Sequence, residues 1–182
     1  MEYCDLDDYG LGKYTRADAG EQPTVLHLFI KMLEQEYLNS GKLTVGGDAL
    51  TVSGGAGSMY MTQFWGHDQN LTYYVNHVYP IMSGSTGATA DWIILKDGDV
   101  VDVAMFDDWS FWSDAYAGFQ YFMDGDAPTH SYTATAGEAK TITCKTAQTN
   151  MMSPSGTQYN VCGTQTVYYG KTLFASDAQS VT

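Results

Sequence analysis

Apolar residues recur at helical spacing in one long stretch. Leu26, Phe29, Ile30, Leu33 and Tyr37 fall on a single face, which predicts a helix over 24–38. Thr24 is placed to cap its start, Pro23 just precedes it, and Gly41 after Asn39-Ser40 supplies the stop. Beyond that point the period shortens. Leu43-Thr44-Val45, a Gly46-Gly47-Asp48 turn and Leu50-Thr51-Val52 read as a hairpin. Met59 to Trp65 reads as a strand or one helical turn, and Thr72 to Tyr79 as a strand that Pro80 ends. Trp92 to Leu95 and Val100 to Phe106 read as strands joined by the tight Asp97-Gly98 turn. Residues 1–23 read as a short edge strand followed by coil, with Tyr3, Leu6, Tyr9, Leu11 and Tyr14 as anchors.

Asp107 to Phe122 is dense in aromatics, and Asp124-Gly125-Asp126-Ala127-Pro128 reads as a linker. The composition then shifts to Thr, Ala and Ser, with strands expected at Tyr132–Ala136, Lys140–Thr146 and Thr164–Phe174. One helix followed by many strands is α+β, not alternating βαβ. The expected organisation is a domain over 1–122, with its helix packed on a mixed sheet. A small all-β unit over 127–182 follows, short for an immunoglobulin-like sandwich and reading as cut off.

Composition narrows the partners. The chain has 182 residues and a formal net charge of -13 although only 16% of residues are charged. So acidic a surface repels phosphate backbones and anionic lipid, which argues against nucleic acid and membrane surfaces. No apolar run approaches the ~20 residues that span a bilayer. Met1 to Asp5 has neither a basic nor an apolar leader region, which fits either a cytoplasmic protein or a piece excised from a longer secreted one, and the strand-like opening favours the second. Cys4, Cys144 and Cys162 allow at most one bridge. Cys144–Cys162 is the nearest pair, and the alternative is free thiols acting as small apolar side chains.

Three ordered motifs carry a resemblance: the helix PTVLHLFIKMLEQEYL, the strand Tyr73-Tyr74-Val75-Asn76, and Lys96-Asp97-Gly98-Asp99-Val100. Over about 20–106 the chain resembles the transcobalamin-like C-terminal domain family, which includes a large bacterial branch of unknown function. His77 stands where that family most often has glycine. The resemblance implies a β-grasp-like fold. In the animal branch the related domain closes over cobalamin. In Gram-positive bacteria such modules sit in large cell-surface proteins beside immunoglobulin-like repeats, which the second unit resembles.

Candidate chemistry is sparse. Gly-x-Ser-x-Gly, His-Glu-x-x-His and Walker patterns are missing, so no catalytic residue is assigned and a non-enzymatic role is expected; a carboxylate pair for glycoside hydrolysis remains open. Asn76 and His77, at a strand end, could contact a ligand or satisfy loop backbone. His67 and His77 offer no third ligand by spacing, so no metal is assigned. Trp109, Trp112 and Tyr116 in the aromatic tract, with Trp92 before it, form a candidate platform for a glycan or planar ring; the other reading is packing. Asp5-Asp7-Asp8, Asp107-Asp108 and Asp124-Gly125-Asp126 are calcium-type carboxylate clusters or solvated turns. The expected role is adhesion, spacing or partner binding in an extracellular or wall-attached protein. A carrier for a corrinoid, with a cleft lined by His77, Trp92 and Trp109, is the alternative, and no other cofactor is expected.

Overall fold

The computed structural model describes residues 4–12, 21–68, 71–82, 87–105, 119–149, 157–161, 165–169, 171–178 and 180–181. It is α+β, with one main helix and several antiparallel sheets. The first described element is a 3-10 turn, Leu6–Tyr9, within the segment expected to hold an edge strand and coil. Asp5 accounts for this: its Oδ1 accepts the Asp7 N–H at 3.0 Å and caps the turn.

The helix forms where the periodicity places it. It comprises α1 (Val25–Met32) and a wider π-type turn, Leu33–Tyr37, closed by Leu38 N–H on the Leu33 carbonyl. Asn39 and Ser40 take left-handed backbone (φ 48° and 68°) and end it. Gly41 follows because a Cβ there would sit 2.9 Å from the Leu38 carbonyl oxygen. At the amino end, Thr24 N–H donates to His27 Nδ1 at 3.0 Å, the reach-back half of a capping box with histidine in place of the usual glutamate. Burial holds the His27 pKa below its usual 6.5, opposed by a hydrogen bond with the Cys4 backbone. Stability from this group is therefore complete above pH 6.5 and is lost as pH falls through the lower folded value. His27→Gln keeps an acceptor at this position without the titration. Its melting temperature should fall less than that of the wild type between about pH 7.5 and pH 5. Parallel losses in both proteins would refute a contribution from His27.

Strands β1 (Leu50–Ser53), β2 (Tyr60–Phe64) and β3 (His67–Asp68) form one antiparallel sheet. The expected 43–52 hairpin is absent. Gly46 N–H closes onto the Leu50 carbonyl, and β1 pairs forward with β2, Leu50 facing Phe64. Strand β4 (Leu71–Val75) pairs with β5 (Val101–Met105) in full register, Tyr74 facing Asp102. The Asp97-Gly98 turn exists, with Asp99 N–H on the Lys96 carbonyl, but its arms do not pair with each other. Ile94 instead bridges to Thr24, beside Val25 N–H on the Ile93 carbonyl and Leu95 N–H on the Pro23 carbonyl.

Asp124 to Pro128, expected as a linker, is the turn of a hairpin between β6 (Phe119–Asp124) and β7 (Ala127–Thr129). Strand β8 (Ile142–Thr149) pairs with β6, with β9 (Thr157–Val161) and with β12 (Ser180–Val181). Strands β10 (Gln165–Tyr169) and β11 (Thr172–Ala178) pair separately. Tyr132 to Ala136 forms no strand. Every strand pairing described is antiparallel, where a mixed sheet was expected.

Two cores result. The larger joins Leu26, Phe29, Ile30 and Leu33 of the helix to Leu50, Met61 and Phe64, with Leu71, Tyr73, Val75, Val101 and Val103 against it. The smaller gathers Tyr74, Tyr121, Met123 and Ala147. Strand β4 thus turns alternate residues toward opposite cores. Its Thr72 and Tyr74 are buried, while Leu71, Tyr73 and Val75 line the helix side.

Candidate functional site

The site is built at the seam between these cores. β4 ends in a two-residue turn, Asn76-His77, closed by reciprocal backbone hydrogen bonds between Val75 and Val78 at 2.9 and 3.0 Å. Both turn residues have positive φ, 51° and 65°, the geometry of a type I′ turn. Glycine or asparagine usually fills such positions, and an ordinary side chain there costs roughly 1–2 kcal/mol.

Each turn side chain has a partner. Asn76 Nδ2 donates to Asp99 Oδ1 at 2.8 Å, and Asn76 Oδ1 accepts the Val100 N–H at 3.0 Å. Asp99 Oδ2 also accepts the Lys96 N–H at 2.8 Å. The Asn76 amide, then the Lys96 backbone, hold the Asp99 carboxyl below its usual range. His77 turns to the other side, where its Nδ1 lies 3.1 Å from Asp102 Oδ2. Tyr121 Oη donates to that oxygen at 2.7 Å, and His130 Nε2 stands 3.5 Å from Asp102 Oδ1. The His77 ring is 4.6 Å from the Tyr121 ring and 4.5 Å from the His130 ring. Asp102 and His77 are largely covered, and His130 is half exposed.

The elements explain the convergence. Asp102 is paired across the ladder from Tyr74, so it faces the smaller core. Tyr121 projects from β6 into the same core, and His130 follows β7 directly. A carboxylate flanked by two imidazoles and a phenol can hold protons or a cation between the two strand pairs.

Of the residues singled out in the sequence, Asn76 and His77 stand together at this seam. Trp92 has its own setting, its ring 3.7 Å from where a Cβ on Gly57 would lie. Trp109, Trp112 and Tyr116, the Asp107-Asp108 pair and Cys162 lie outside the described residues. His67 sits exposed on β3, paired with Phe64. The remaining acidic clusters serve local structure: Asp5 caps a turn, and Asp124 bonds Lys140 Nζ at 2.9 Å. Asp102 and His130 were not anticipated, and Tyr121 only as a member of the aromatic tract. The available signal was Asp102, the lone charge within VVDVAM.

Comparison with protein-family models, curated proteins and solved structures gives no match.

Proposed function

We propose that this chain is a non-enzymatic module of a secreted or cell-surface bacterial protein, serving adhesion, spacing or partner binding. The region over about 20–106 that carries the resemblance is a transcobalamin-like, β-grasp-like domain, and residues 127–182, whose sheet also takes in β6, belong to a partial immunoglobulin-like unit. The observation that supports the reading is that the Lys-Asp-Gly-Asp motif and the segment leading into it bond to both other motifs of the resemblance. The Asn76 amide that ends the Tyr-x-Val-Asn strand clamps Asp99 and Val100 of the Lys-Asp-Gly-Asp motif. The start of the helix is hydrogen-bonded to the segment leading into that same motif, through Ile93 and Leu95. Polar side chains in this region join backbone segments, and the flanking Val78 and Val100 remain exposed as contact surface.

An antibody raised against the chain should stain intact producing cells. Staining that required lysis would end the surface reading.

A further inference from the structure

We propose that His77, Asp102 and His130 bind a divalent first-row transition cation, zinc foremost, which clips the β4–β5 strand pair to the β6–β7 hairpin. Among the described residues, these three form the one group of ligating side chains whose donor atoms all lie within 4.8 Å of one another. A tetrahedral zinc with bonds of about 2.0–2.1 Å sets its donors about 3.4 Å apart. Each imidazole already stands near that separation from one Asp102 oxygen, His77 Nδ1 at 3.1 Å from Oδ2 and His130 Nε2 at 3.5 Å from Oδ1. All three donors lie within 4.8 Å of one another, and His130, with its side chain 52% exposed, is the least enclosed of them.

The donor chemistry selects the ion. Two imidazole nitrogens and one carboxylate suit zinc, nickel or copper, whereas calcium and magnesium take oxygen shells. Tyr121 supplies the outer support that a ligating carboxylate needs, since its hydroxyl fixes Asp102 at 2.7 Å. The backbone adds a separate argument. His77 occupies a left-handed position that glycine would fill without strain, so its ring is held there against a conformational cost. Three protein donors leave a fourth position, open on the exposed His130 side, for water. The inference does not depend on the surface-protein reading.

The whole chain, freed of metal by chelator and dialysed, is titrated with zinc chloride by calorimetry and followed by thermal melting. One equivalent should bind, and excess zinc should raise the melting temperature. His130→Ala, at an exposed position that leaves the fold intact by circular dichroism, should weaken binding at least about tenfold and lose the thermal shift. Asp102→Asn should do the same, and His67→Ala should bind as the wild type does. Calcium chloride should give no saturable heat. The proposal is overturned if zinc gives no saturable binding to the wild type, or if His130→Ala binds zinc as tightly as the wild type.

Discussion

Asp91→Ala is expected to destabilise the fold by about 2–5 kcal/mol, since each backbone donor that loses its partner costs about 1–3 kcal/mol. Asp91 is fully buried. Its two carboxylate oxygens accept the Gly57 N–H at 2.6 Å and the Met59 N–H at 3.1 Å. The neighbouring Ala90 carbonyl takes the Leu26 N–H, so this turn ties the 57–59 loop to the amino end of the helix. An alanine would leave the buried Met59 N–H and the part-buried Gly57 N–H without their acceptor. Asp91→Asn retains one accepting oxygen and should cost less than alanine. Urea melts of the three proteins measure the order. An alanine variant with the wild-type midpoint would show that the clamp contributes nothing.

Phe29→Ala should cost about 3–5 kcal/mol, as large truncations in packed cores do. Phe29 is 1% exposed, and its ring meets Phe64 of β2 at 4.9 Å and Tyr73 of β4 at 5.8 Å. The one side chain therefore couples the helix to two separate sheets. Its removal should shift the urea midpoint without changing the slope, since the surface exposed on unfolding is nearly unchanged. A loss below about 1 kcal/mol would mean that the helix does not depend on this contact.

The helix was legible because its signal is local. Five apolar residues at a period near 3.6 determine both the element and its buried face. Strand existence was legible at Leu50–Val52, Tyr73–Val75 and Val101–Met105 for the same reason. Strand partners were not. Gly46-Gly47-Asp48 and Asp97-Gly98 are genuine turns, yet neither joins paired arms. A turn motif specifies a reversal of direction, while pairing follows from which apolar faces are left to cover. Tyr73 and Tyr74 both carry apolar bulk, so β4 has a face for each core and recruits β5 from across the intervening loop.

The seam site was half legible. Asn76-His77 stood out as a polar pair at a strand end, with histidine where the resembled family most often has glycine, and the structure gives each a specific partner. The partners of His77 come from three further segments. Asp102 lies 25 residues away and reaches His77 through the β4–β5 register, which the sequence does not encode locally. His130 follows a hairpin that its Asp-Gly-Asp composition presented as a linker. Side chains that meet through long-range pairing leave no periodic trace.

In β6, the side chains of Gln120, Phe122 and Asp124 face water, so alternate codons can change with little effect on folding. β4 has no such outlet, because Leu71 to Val75 is partly or wholly covered on both sides. A substitution along this short stretch therefore disturbs one core or the other, whichever side it falls on.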